Sequence, residues 1–331
     1  MSGPALDTTY LGLHLRHPFM VGASPLADDV DSARRLEDGG SSAIVLRSLF
    51  EEQITQAQTG RIHQIDPFDP AFALRVSAFP SEDRYRFKPD EYLEHIRRVK
   101  AAVAVPVIAS LNGMTAELWL QFARQIQDAG ADALEINIFR LVTDVDHSSL
   151  AIESQIRNIV VELKRALRIP VALKLLPFYT AFGHFARQMD AAGVDGLVMF
   201  NRFYEPDIDV RTMAPWPHVE LSLPGELLLR LRWAAVLHSR VRCSLAVTGG
   251  VSSPTDGVKA ILAGAHAVQL VSAVLRNGPA WIGEMRDGLE RWLDANHLRL
   301  AEARGRLDGA EESELAERAS YIRTLQSWNM P

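Results

Sequence analysis

Cysteine is almost absent from this chain: one residue, Cys243, in 331. An internal disulfide is thereby excluded, as is a thiolate-built metal or iron–sulfur site, and a reducing, cytoplasmic setting is the expectation. A surplus of positive charge is missing too. The 35 Lys and Arg stand against 41 Asp and Glu, a formal net charge of −6, so the basic footprint of a nucleic-acid or anionic-membrane binder is lacking. No run approaches the ~20 consecutive apolar residues of a spanning helix. Met1 to Thr9 carries Asp7 and no apolar stretch of the secretory kind. What is present in quantity is apolar side chain, 47% of all residues. That is enough for one large core, and a single domain over 1–331 is expected, with its core at about 18–295 and a helical extension at about 296–331.

Short apolar runs alternate with longer amphipathic ones. The runs begin at Phe19, Ala43, Pro106, Ala133, Val171, Gly196, Ser244 and Ala267. Between them lie helical patterns near Val30–Glu37, Asp90–Ala102, Thr115–Ala129, Ser149–Leu167, Ala181–Ala192, Gly225–Leu237 and Pro254–Leu262. Strands this apolar on both faces belong to a parallel sheet covered by helices. Eight such units over about 260 residues fit a closed (β/α)8 TIM barrel, an α/β fold, better than an open doubly wound sheet. Ala-Gly pairs at Ala129-Gly130, Ala192-Gly193 and Ala263-Gly264 place a helix-ending glycine before a tight turn. Tyr10–Leu15 alternates like an N-terminal hairpin closing the barrel bottom. Insertions at Phe50–Lys88 and Arg202–Pro224 follow the second and sixth strands and are expected at the C-terminal face. The tail from Ala301 reads as helical, with Tyr321–Trp328 available to dock on the barrel or on another subunit.

In such a barrel the chemistry sits at strand C-terminal ends. Those positions hold Ser24, Arg47, Asn112, Asn137, Lys174, Asn201, Gly249-Gly250 and Ser272. Lys174, inside Val-Ala-Leu-Lys-Leu-Leu, must face a polar cavity or be paired, with Glu135 one available partner. A fixed cation there would stabilise negative charge on a bound ring or leaving group. Arg47, in Val-Leu-Arg-Ser, follows the same logic. Asn137 and Asn201 each offer a donor and an acceptor, for a heterocycle edge or for capping the next loop. Thr248-Gly249-Gly250-Val251, just before a helix starting near Pro254, reads as a phosphate cradle of backbone N–H groups backed by a helix dipole. Other residues read as structural. Cys243 precedes its strand and packs; Trp119, Trp233, Trp281 and Trp292 pack on helices; His184 lies in a helix. Asp144, Asp146 and His147 read as a polar loop rather than metal ligands.

Taken in order, Gly22-Ala23-Ser24-Pro25, Pro106-Val107-Ile108-Ala109-Ser110-Leu111-Asn112-Gly113, Glu135-Ile136-Asn137, Val171 to Pro177, Asn201-Arg202-Phe203-Tyr204, Thr248 to Val251 and Gln269-Leu270-Val271-Ser272 resemble the dihydroorotate dehydrogenase family of FMN-binding barrels, over about residues 8–295. The likeness is closest to the soluble branch and its divergent members. The resemblance implies an FMN flavoprotein in which Ala23 and Ser24 line the flavin and Lys174 lies beside its N1 and O2 edge. It places Arg47 where the family has a second lysine, Asn137 against flavin and substrate, and Asn201, with Asn112, on the substrate side. Gly249 and Gly250, with backbone from Val271 through Ser272 to Ala273, would bind the phosphate. It also implies a homodimer and a role in pyrimidine metabolism.

The departures from the family pattern are informative. The soluble branch carries its base, a cysteine, three residues after the asparagine ending strand four; here Arg140 stands there. Arginine cannot accept a proton at ordinary pH. Thr143 and Ser148 are the nearby hydroxyls, without the register or Pro-Asn partner of the serine-using branch. Phe50–Lys88 offers Asp66-Pro67-Phe68-Asp69-Pro70 in place of the family's substrate loop. Flavin binding and dihydroorotate oxidation therefore separate, and Arg47 and Arg140 would suit an anionic substrate. Two alternatives stay open: a non-redox lyase or isomerase using Lys174 on a phosphorylated substrate, and an inert flavin-binding scaffold.

Overall fold

A computed structural model describes residues 6–59, 80, 84–113, 116–307 and 313–327. Strands β1 (Thr8–Tyr10) and β2 (Leu13–Leu15) form the expected hairpin, turning through Leu11 and Gly12. The barrel strands follow: β3 (Phe19–Val21), β4 (Ile44–Phe50), β5 (Val107–Asn112), β6 (Ala133–Asn137), β7 (Val171–Leu175) and β8 (Gly196–Met199). A small antiparallel pair, β9 (Asp207–Asp209) and β10 (Ala214–Trp216), lies in the insertion after β8. Then β11 (Ser244–Thr248) and β12 (Ala267–Leu270) close the ring in the order β11-β12-β3-β4-β5-β6-β7-β8, all parallel. Outward-facing residues such as Val107, Ile136, Leu173 and Val247 pack under the surrounding helices.

The barrel interior is built in layers set by the two-residue side-chain period of a strand. The lower layer is small and apolar: Ala133, Ala172, Ala246 and Ala267 leave room that Tyr10, Leu11 and Leu15 of the hairpin fill. Two residues further along the same strands come Glu135, Lys174, Thr248 and Gln269. The floor is thus largely apolar and the next layer polar.

Several boundaries differ from the sequence expectation. Ser272 does not end a strand but opens a short helix, Ser272–Asn277. β4 runs on to Phe50 through a register irregularity between Val45 and Ser48, and the helix Glu51–Thr59 follows at once. Asp66–Pro70 and Trp328 lie outside the described residues, as does the side chain of Trp119. The tail helix, Glu314–Gln326, meets the barrel through Arg232 and Glu317, 2.6 Å apart. Tyr321, Ile322 and Leu325 are exposed, so docking of this segment on the barrel is not what the fold shows. Among the described residues, no helix is long and apolar enough to cross a membrane.

Candidate active site

The C-terminal ends of β3, β7, β8, β11 and β12 surround one cavity of about 790 Å³, counting its open mouth. Ala23, Ser24, Lys174, Asn201, Gly249 and Ser272, all expected from sequence, line it together. Part of its wall comes from the insertion after β8, where Val219 to Ser222 line the cavity.

Lys174 meets both of its readings at once. It lines the cavity and is buried, and its Nζ donates to Glu135 Oε1 at 3.2 Å and approaches Gln269 Oε1 at 3.5 Å. Gln269 Nε2 in turn donates to Glu135 Oε2 at 2.5 Å. A buried charge persists only when it is paired in this way. Glu135 therefore keeps the ammonium in the barrel while one side of it faces the cavity. Below, burial first and the Glu135 charge second push the Tyr10 phenol well above its ordinary range.

The asparagines form a row. Asn112, Asn137 and Lys174 are register neighbours across β5, β6 and β7. Asn201 Nδ2 donates to Asn137 Oδ1 at 2.5 Å, and Asn201 Oδ1 accepts from the Arg202 N–H at 2.9 Å. Ser24 caps the 3₁₀ turn Pro25–Ala27 and donates to Gly22 O at 3.0 Å, which fixes the first loop against the cavity.

Gly249 and Gly250 have φ of +87° and +77°. A Cβ on Gly249 would stand 2.8 Å from Arg230 Nη2, and one on Gly250 would stand 2.5 Å from the Leu227 backbone nitrogen. Only bare backbone fits. The Gly250 N–H donates to Ser222 Oγ at 3.1 Å, and Ser222 is joined to Ser272 Oγ by its N–H and its hydroxyl, each at 3.0 Å. Ala273 is buried in the helix behind.

Two expectations about charge need correction. The helix Pro254–Leu262 does not lend a free N-terminus to this turn, because Ser253 caps it and the Asp256 carboxylate accepts from the N–H groups of Ser252 and Ser253. The cation beside the turn is instead Arg230. Its side chain is 1% exposed, with Nε donating to Thr248 O at 2.5 Å and Nη1 to Glu226 O at 2.6 Å. Arg47, in turn, is not brought to the cavity. The β4 irregularity sends it to Asp28, which it grips with Nε at 2.9 Å and Nη2 at 2.6 Å.

The loop after β6 also stands apart. Arg140 donates to Gln155 at 2.8 Å and lines a separate cavity with Ile138, Glu153 and Tyr179. Thr143 is exposed, and Ser148 is spent as the N-cap of the helix Ser149–Ala166. His147 is hydrogen-bonded to Asp144 at 2.8 Å on the loop surface. Cys243 packs below its strand, where burial pushes its thiol pKa far up. Sequence reading missed Arg230, Ser222 and Gln269. The signal for Arg230 was present as an arginine within the apolar stretch Leu227-Leu228-Leu229-Arg230-Leu231.

Comparison with known proteins agrees with this architecture. A 31% identity over 216 residues, 63% of this chain and 70% of the relative, links it to the dihydroorotate dehydrogenase B (NAD(+)) catalytic subunit of Desulforamulus reducens. The corresponding subunit of Thermoplasma acidophilum is 25% identical over 87% of this chain and 94% of its own length. Dihydroorotate dehydrogenase A (fumarate) of Lactobacillus helveticus is 24% identical over 79% of this chain and 85% of its own. The family profile described as dihydroorotate dehydrogenase matches residues 5–293, so it spans the hairpin, all eight barrel strands and the cavity above them. The chain belongs to the dihydroorotate dehydrogenase family.

Proposed function

We propose that this chain is an FMN-dependent oxidoreductase that moves a hydride between a small anionic substrate and flavin N5. The observation that carries the proposal is the meeting of Lys174, Gly249 and Ser272 in one cavity at the strand ends. The residues present fit FMN. Gly249 and Ser272 would meet a phosphate, with the Gly250 N–H already given to Ser222 Oγ, Ala23 and Ser24 would lie along the ring, and Lys174 would stand at an electron-rich edge. When bound, FMN supplies the redox chemistry.

The chain's own residues then bind and orient. Lys174 contributes a positive charge that Glu135 and Gln269 hold in place before any ligand arrives, so no reorganisation is needed when negative charge develops beside it. Asn137 and Asn201, locked to each other, present amide groups of fixed orientation to a substrate's polar edge. Arg202 and Val219 to Ser222 line one side of the cavity.

Dihydroorotate is the less favoured substrate in this reading. Arg140 stands at the family's base position and is turned to Gln155, and the loop contains no cysteine. A reaction that adds hydride to an activated double bond, with the proton drawn from solvent, suits such a site. Homodimerisation and a reducing compartment belong to the same proposal. The test is anaerobic: the FMN-loaded protein is photoreduced and mixed with unsaturated carboxylates, and the oxidised protein is mixed with dihydroorotate. Reoxidation by a carboxylate with slow or no bleaching by dihydroorotate is expected. Rapid bleaching by dihydroorotate would overturn the substrate assignment, and inertness to every compound would favour a scaffold.

A further inference from the structure

Arg230 is a buried arginine with two faces. One face is used structurally, by Thr248 O and Glu226 O. The other, Nη2, is ion-paired with Glu226 Oε2 at 3.7 Å, too far for a hydrogen bond, and stands where a Cβ on Gly249 would fall, on the cavity wall. Glu226 cannot serve Arg230 alone. Its Oε2 accepts from Arg202 Nη1 at 2.9 Å and its Oε1 from the Leu223 N–H at 2.9 Å. Nearby, Arg276 donates to Ser222 O at 3.1 Å. Arg202 and Arg230 thus share Glu226 as their counter-charge on the cavity wall, while Glu220 lies 65% exposed toward His218. Burial lowers the Arg230 pKa to about 10, which still leaves it charged at neutral pH.

A buried cation with an incompletely matched counter-ion has a reason to be there if an anion completes it. We propose that Arg230 reads the charge of the group bound against the Gly249–Gly250 turn, selecting a phosphate monoester dianion over an uncharged end of the same molecule. The inference rests on the FMN reading, and it goes beyond that reading in assigning phosphate selectivity to a side chain where sequence pointed to backbone and a helix dipole. Glu226 acts against it: its carboxylate offsets the arginine, so the free site is held neutral enough to fold and is completed by the ligand.

The experiment compares FMN with riboflavin, which shares the ring and lacks the phosphate, by titrating flavin-stripped protein and following flavin fluorescence. The wild-type chain is expected to prefer FMN. In Arg230→Met the FMN affinity is expected to fall by about tenfold to a hundredfold, the range of a hydrogen bond to a charged group, with riboflavin affinity unchanged. In Glu226→Gln the FMN-to-riboflavin ratio is expected to rise. An unchanged ratio in Arg230→Met, or equal loss of both flavins, would overturn the selectivity role and leave the FMN reading intact. A wild type that binds neither flavin overturns the FMN reading and the inference together. If Arg230→Met does not fold, Glu226→Gln decides: a ratio that stays level or drops refutes the proposal.

Discussion

The lower and upper layers of the barrel interior differ by two residues of sequence and by nearly everything else. Ala133 becomes Glu135, Ala172 becomes Lys174, Ala246 becomes Thr248, and Ala267 becomes Gln269. The lower layer is filled from outside by Tyr10, Leu11 and Leu15, and the Tyr10 hydroxyl is its one polar group among these three side chains. The upper layer holds an ion pair that three side chains complete among themselves, with one face left to a cavity. One strand period therefore separates the part of the barrel that carries stability from the part available for chemistry.

Breaking the upper layer should cost most. Glu135→Ala strands the Lys174 ammonium in the barrel, and a loss of about 3–5 kcal/mol is expected from such a half-removed pair. Denaturant unfolding measures it, and a loss under 1 kcal/mol would mean that Lys174 finds water or another partner. Leu15→Ala in the lower layer should cost about 2–5 kcal/mol by leaving a cavity, yet leave flavin affinity as it was. A matching drop in flavin affinity would show that the two layers are coupled.

A smaller effect comes from pH at the rim of the floor. His17 Nε2 meets Gly40 O at 2.7 Å, and the Phe19 N–H donates to His17 Nδ1 at 3.2 Å, so the neutral ring with its proton on Nε2 satisfies both. Burial, the largest cause, lowers its pKa to about 4 from an ordinary value near 6.5. Because the folded value is the lower one, the stability contribution is complete above about pH 6.5 and is lost as pH falls toward 4. That loss is at most roughly 3 kcal/mol. His17→Asn should flatten the melting temperature between pH 6.5 and 4; an unchanged slope would assign the effect elsewhere, with His266, also lowered to about 4, the next group to test.

Much of this was legible in sequence for physical reasons. Eight short runs apolar on both faces can only be strands buried between a filled interior and a helical coat, and a lysine in the middle of one cannot be idle. The glycine pair announced a turn that no Cβ allows. The misses have causes of the same kind. Arg47 occupies a strand-end position in the pattern, but an irregularity in β4 invisible to periodicity turns it to Asp28. Ser253 and Asp256 form a capping box that was readable and that uses up the helix terminus expected to face phosphate. Arg230 stood out as an arginine in an apolar stretch, but its place beside the turn depends on distant partners, Thr248 and the Phe203 ring 5.0 Å away.

In the proposed function the polar layer and the glycine turn serve one FMN. A crystal structure of the chain grown with FMN tests it most directly. The phosphate is expected against Gly249, Gly250 and Arg230, with the ring system beside Lys174. FMN bound elsewhere, or a cavity left empty at saturating FMN, would contradict it.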